Sequence, residues 1–346
     1  MEFSYPEMIT RHKKAISIFV LFIIVAILPV FITSPYYLDL LIIIMMNGIL
    51  AMTFLVMLRT GLISMAIAAF WGIGAYASAM LVTKLSLSFW LSLPAATIIT
   101  ALFALVLGAV LIRNAGFTFV ILTTVIGMLF GVAVGNIEWL GAYNGISNVP
   151  PPNPINLPFL PPIEFVSKVE FFYLALFLAI ISILIIRAFY AAWTGRAWTA
   201  IGLNLKLAES LGINTFRYKL LGFVVASAIA GLMGSFYVHY QSFVQPQTFN
   251  IFATIYLQIY AILGGIGYAV TGPIIGSVIM TLLPEFLRVT KEAGQVFFGA
   301  LVILLILFLP KGLLSLTAKP AVVGFFNRIG KMIAGTPPVK DKTGKA

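Results

Sequence analysis

Few side chains in this 346-residue chain could make or break bonds. There are two histidines, His12 and His239, ten carboxylates and no cysteine. Without cysteine there is no thiolate nucleophile, no thiolate metal site and no disulfide framework. No glycine-rich phosphate loop ending in Lys-Ser or Lys-Thr occurs, so ATP hydrolysis is not expected of this chain itself. His-Glu-x-x-His, a serine elbow and paired carboxylates are likewise missing from the sequence. We therefore expect no catalytic residue, no metal ligand and no cofactor; the chain does not read as an enzyme.

The carboxylates and histidines also sit in the wrong places for ion coupling. Asp39 and His239 fall near the ends of apolar runs, where a polar group reaches the membrane interface. No run carries a charge in its interior, whereas proton- and ion-coupled carriers need carboxylates held within the bilayer. The runs dominate the chain. Hydrophobic residues make up 61% of it and charged residues 9%, against roughly 25% charge in a soluble domain. Runs near 20 residues long indicate membrane helices, since strands of a barrel are about half that length and alternate.

Apolar segments lie near residues 15–33, 36–58, 61–83, 86–112, 117–136, 169–186, 218–240, 250–267, 269–287 and 294–309. The expected fold is an all-α polytopic transmembrane helical bundle of about 8–10 spans. The pair flanking Gly264 to Pro273 reads either as two short spans or as one span and a re-entrant segment. Residues 1–310 form the transmembrane domain, and 311–346 a basic cytoplasmic tail. The first run follows Arg11, Lys13 and Lys14 and has no small-residue cleavage site before Pro35, so it reads as a retained span.

The net charge of +11 is explained by topology rather than by nucleic acid. With both termini cytoplasmic, the inner segments hold 17 basic residues, among them Arg59, Arg113, Arg187, Arg196, Lys206, Arg217 and Lys219. The outer segments hold 4, Lys84, Lys168, Arg288 and Lys291, together with six of the ten acids. Positive charge collects on the cytoplasmic side of such proteins. The expected location is the cell membrane, multi-pass.

Two loops and a tail stand out. Residues 137–167 carry seven prolines and face outside, as a stiff spacer or as a rim that receives a partner protein. The tail places Phe325, Phe326, Ile329, Met332 and Ile333 among basic residues, a patch suited to anionic membrane lipid. The cytoplasmic loop near 187–217 is too long for a turn. Trp198, Ile201, Leu205, Ala208 and Leu211 recur every three or four positions, which predicts one surface helix with an apolar face. Gly212 stands where a left-handed C-terminal cap is needed, and Asn214 or Thr215 can cap the next helix. Such a helix either buttresses the bundle from the headgroups or docks a soluble motor domain. Small residues crowd the spans, as in 61–79, and suit close helix packing, with a minority lining a pathway.

At this loop the chain resembles the branched-chain amino acid ABC permeases of the LivM type. "GRAWTAIGLNLKLAESLGINTFRYKLLGFVVASAIAGLMGSFY" (195–237) resembles the family's Gly-Arg, Ala-x-x-Leu-Gly-Ile-Asn and Ala-Gly-rich pattern. "ILGGIGYAVTGPIIGSVIMTLLPEFLR" (262–288) is similar to its Leu-Gly-Gly-x-Gly and Gly-Pro-x-x-Gly pattern, and "GLISMAIAAFWGIGAYASAML" (61–81) to its Gly-Ala-Tyr region. "RNAGFTFVILTT" (113–124) is a looser match. The outer loop departs from the family, reading "LGAYNGI" where Thr-Gly-Gly is usual.

The resemblance implies a subunit of an ATP-driven importer for branched-chain or related small amino acids. Its partners would be a second homologous permease, two cytoplasmic ATP-binding subunits, an extracytoplasmic solute-binding protein, the small-molecule solute and membrane lipid. It implies ATPase coupling through Gly195, Arg196, Ala200, Ala208, Glu209, Gly212, Ile213 and Asn214. Packing or pathway roles fall to Gly72, Gly74, Tyr76, Gly231, Gly264, Gly265, Gly267, Gly272 and Pro273. The departure at the outer loop leaves urea or short amides open as solutes. A self-sufficient carrier or facilitator, or an assembly protein, are the readings from other classes.

Overall fold

A computed structural model describes residues 25–32, 34–114, 116–155, 162, 164–287, 294–308 and 312–314. Most of the first expected span, part of the proline-rich loop and nearly all of the basic tail, including its aromatic patch, lie outside the described residues. From residue 35 onward a helix stands at each expected place. In chain order these are α1 Pro35–Arg59, α2 Ile67–Thr83, α3 Phe89–Leu111, α4 Phe117–Asn136 and α5 Lys168–Ala191. Two short helices follow, α6 Trp193–Leu203 and α7 Leu205–Ser210. The set closes with α8 Thr215–Gln241, α9 Ile251–Gly264, α10 Thr271–Leu287 and α11 Gly294–Phe308. Residues 25–31 are helical as well.

Five helices, α1, α3, α4, α5 and α8, are long and apolar enough to cross a membrane. Their burial differs. α1 and α8 form the centre, each with 72% of its most apolar window buried, while α3 and α4 bury only 22%. That gradient is what lipid permits: the outer helices keep Leu91, Ile98, Phe103, Val125 and Met128 exposed, since a hydrocarbon surrounding imposes no penalty on an apolar surface. The chain is a polytopic all-α membrane bundle. At one end lie Arg59, Arg113, Arg187, Arg196, Arg217 and Lys219 (the basic end); at the other, Asp39, Glu138, Glu164 and Glu170 (the acidic end).

The most extensive pairing is α2 with α8, and its cause is two glycines. A Cβ on Gly74 would strike the backbone of Gly231, and one on Gly234 the carbonyl of Trp71. Side-chain-free positions let the two backbones touch, and dispersion then replaces the hydrophobic effect that lipid cannot supply. The pair α9 and α10 repeats the device, with Gly264 against Gly272 and Gly276 against Tyr260.

One expected span is not a continuous helix. Residues 60–66 leave α1 at Thr60, turn through Gly61 (φ +75°) and run non-helically until α2 begins at Ile67. Leu62, Ser64 and Ala66 are buried all the same. Buried backbone outside a helix must find partners elsewhere, and three neighbouring side chains supply them. Thr123 Oγ1 accepts from the Met65 amide at 3.1 Å and Thr254 Oγ1 from the Ala68 amide at 3.0 Å. Gln258 Nε2 donates to the Ser64 carbonyl at 3.1 Å. α2 is thus a half-helix whose first turn opens inside the bundle rather than at its rim.

Candidate functional site

At the basic end the segment expected to couple is two helices, not the single one predicted. Asn204 leaves helical geometry (φ −155°, ψ 107°) and its side chain accepts from the Leu207 amide, starting α7 afresh. The break resets the phase of the apolar stripe. Trp198, Ile201 and Ala208 are buried as expected, but Leu205 is only half-buried and Leu211 is exposed. Trp198 is the anchor: its ring stacks on Phe189 and meets Tyr190 edge-on, and its Nε1 donates to the Tyr218 carbonyl at 2.8 Å.

The expected coupling residues come together on this end. Gly195 is buried with its Cα against the backbone of Tyr190. Arg196 lies over the Trp193 ring at 4.9 Å, and Ala200 is half-buried beside it on α6. Ala208 is buried under α7. Its carbonyl accepts from the Ile213 amide and the Glu209 carbonyl from the Gly212 amide, with Gly212 at φ +77°. These two bonds form a Schellman cap, which requires the left-handed conformation glycine tolerates. Asn214, rather than Thr215, then caps α8 by accepting from the Arg217 amide at 3.0 Å. Thr215 instead donates to the Glu209 carboxylate at 2.9 Å.

The surface this builds was not legible as an apolar stripe. Leu203, Leu207 and Leu211 are 83%, 58% and 71% exposed. Leu203 lines an open cleft of about 700 Å³ together with Arg59, Arg187, Arg196, Tyr190, Ala269 and Val270. Arg59 rests over the Tyr190 ring at 5.0 Å. Guanidinium groups held by aromatic faces next to bare leucines make a surface with both charge and apolar anchors, the mixture that docked protein partners use.

The expected packing or pathway residues divide by place. Gly74, Gly231, Gly264 and Gly272 sit at backbone contacts, and Gly265 (φ +127°) with the buried Pro273 shapes the turn into α10. Gly267 is exposed with open space around it. Gly72 lies beneath aromatic rings: a Cβ there would come within 2.5 Å of Phe130 and 2.8 Å of Phe249. Tyr76 is buried in the same aromatic group.

At the acidic end the loop from 137 to 155 is fastened to the bundle. Ile146–Ser147 (β1) pairs antiparallel with Phe243–Val244 (β2), and the Val149 amide donates to the Ser242 carbonyl. His239 does not reach the interface as expected from its position near a helix end; it is 1% exposed. Its Nδ1 donates to the Pro150 carbonyl at 2.7 Å, which leaves Nε2 to accept from Ser78 at 3.0 Å. Ser78 in turn accepts from Ser235 at 2.8 Å. Asp39 is equally engaged, accepting from Lys168 Nζ at 3.0 Å and from the Tyr240 hydroxyl.

The comparisons fit this architecture. Residues 36–307 match the family model described as branched-chain amino acid transport system / permease component. The high-affinity branched-chain amino acid transport system permease protein LivM of Salmonella typhimurium is 30% identical over 278 residues, 75% of this chain and 65% of the relative. LivM of Escherichia coli K12 matches over the same extent. The permease protein LivH of Escherichia coli K12 is 33% identical over 123 residues, 35% of this chain and 39% of the relative. The chain thus spans just under two thirds of the length of the LivM relatives. No solved structure matches. On the family match over most of its length, the chain belongs to the branched-chain amino acid transport permease family.

Proposed function

We propose that this chain is the membrane-spanning permease subunit of an ATP-driven importer that moves branched-chain or related small amino acids into the cytoplasm. Its basic end and both termini face the cytoplasm, in line with the charge rule. A second homologous permease completes the pathway, an extracytoplasmic binding protein delivers solute, and two separate ATPase subunits supply energy at the segment 187–217. The relatives named LivM and LivH, both similar to this chain, support a pair of unlike permeases.

The observation that carries the reading is the short, capped turn that joins α7 to α8. The Schellman cap at Gly212, the Asn214 cap and the Glu209–Thr215 bond bridge the turn between the exposed leucines and the central span. A push on Leu207 and Leu211 is passed directly to α8, and through the Gly74–Gly231 contact to α2. His239 and Asp39 are both hydrogen-bonded in place, which fits energy supplied by separate subunits.

The test is uptake of radiolabelled leucine into proteoliposomes holding this chain with its second permease and ATPases. ATP-dependent uptake that requires all of them is the expected result. Equal flux through this chain alone, without ATP, would establish a facilitator instead. The "LGAYNGI" departure places Tyr143 and Gly141 at the acidic end, so urea and short amides belong in the competition assay as the second solute class.

A further inference from the structure

We propose that the aromatic cluster between α2, α4 and α8 forms a solute site inside this subunit, suited to a small zwitterionic amino acid with an aliphatic side chain. The inference rests on the function proposed above. Its starting point is two donors that the fold leaves unused. The indole Nε1 of Trp71 and the hydroxyl of Tyr76 are buried and have no hydrogen-bond partner among the described residues. Their residues are 7% and 4% exposed. An indole N–H can only donate, and a buried donor without an acceptor is costly. Both rings pack on Phe249, and two unpaired donors in one ring cluster suit an acceptor with two oxygens.

The rings around them suit the rest of such a solute. Phe249 meets Trp71 at 4.8 Å and 81°, Tyr76 at 6.3 Å and Phe130 at 6.3 Å between centroids. Tyr237 closes the group at 4.9 Å from Trp71. A cage of π faces attracts an ammonium group without any carboxylate. This answers how a chain with no charge inside its spans could hold a zwitterion: the carboxylate takes the two donors, the ammonium takes the rings, and the aliphatic side chain takes the apolar walls.

Phe249 is the plug. On its far side it lines an open pocket of about 250 Å³ with Gly127, Gly131, Tyr143, Pro246 and Asn250. That volume lies below the roughly 300–1,000 Å³ of drug-sized sites, as a smaller solute requires. On its near side Phe249 covers Trp71, Tyr76 and the bare backbone of Gly72. It is carried on the short 3-10 turn Pro246–Phe249, between β2 and α9, rather than on a long helix. Movement of this one side chain is the step the site requires, since Phe249 is common to the pocket and to both rings.

The test uses the full complex in proteoliposomes with saturating binding protein, comparing the wild type with Trp71→Phe, Tyr76→Phe and the double variant. Each substitution removes a donor and keeps a ring. ATP-driven leucine uptake is expected to fall at least tenfold in each and further in the double, while thermal stability of Tyr76→Phe is unchanged or higher because an unpaired donor has gone. Uptake within twofold of the wild type in the double variant overturns the site. A loss of uptake that tracks a loss of stability assigns the two residues to packing and overturns it too. A wild-type complex that moves no leucine sinks the transport reading itself, and this inference with it.

Discussion

The Thr215 hydroxyl donates to the Glu209 carboxylate at 2.9 Å, tying the last turn of α7 to the first residue of α8. Both residues lie at the surface, so the bond contributes only about 1 kcal/mol to stability. Its mechanical consequence is larger, since it is the side-chain link across the turn at Gly212. Glu209→Ala and Thr215→Val are each expected to lower ATP-driven uptake several-fold while complex assembly and ATPase rate stay near wild type. The double variant should be no worse than either single one. Additive losses in that cycle would show that the two residues act separately.

Three glycine-to-alanine changes should give three different results. At Gly74 a Cβ meets the backbone of Gly231, which cannot give way, so the α2–α8 pairing must open. A cost of about 1–3 kcal/mol or more is expected, seen as a lower melting temperature in detergent. At Gly212 nothing lies within 4 Å, and the cost is backbone strain at φ +77° alone, about 1–2 kcal/mol. Gly212→Asn should recover part of it, because asparagine tolerates the left-handed region. Gly267→Ala meets open space and ordinary dihedrals, and should be neutral.

The bundle was legible and its interior wiring was not. Apolar runs near 20 residues long specify helices whatever they pack against, so every segment from residue 35 onward was placed. The cap at Gly212 and Asn214 was legible too, because capping is local chemistry. The break before α2 left no local mark: its amides find Thr123 and Thr254, 58 and 186 positions away, and its Ser64 carbonyl finds Gln258, 194 positions away. His239 misled for the same reason, its partner Ser78 being 161 residues distant. The reset at Asn204 had a signal, since asparagine prefers helix starts to helix interiors, but the three-four spacing ran across it.

At the acidic end, Lys168 joins α5 to Asp39 on α1 and lies 4.1 Å over the ring of Tyr240 on α8. The side chains of the ion pair are 38% and 36% exposed, so water screens it and the pair alone contributes about 0–1 kcal/mol. Lys168→Met should therefore barely move the melting temperature. Asp39→Asn keeps a carbonyl acceptor for the Tyr240 hydroxyl and is expected to be milder than Asp39→Leu, which removes it. Thermal unfolding of the three variants in one detergent checks the order.

Thr254 decides whether α2 can begin where it does. Its hydroxyl accepts from the Ala68 amide at 3.0 Å, is 1% exposed and stands on α9, a different part of the chain. Valine is close in shape and lacks the acceptor, so Thr254→Val leaves a buried amide unpaired at the first turn of α2. The expected cost is about 1–3 kcal/mol. Thr254→Ser keeps the oxygen and should restore most of it, despite losing a methyl group. Exchange of the Ala68 amide proton is the direct measurement, because it reads local opening rather than global unfolding. Faster exchange in the valine variant, with protection regained in the serine variant, is the expected pattern. Equal protection in all three would mean that the half-helix start is held by packing and not by this hydrogen bond.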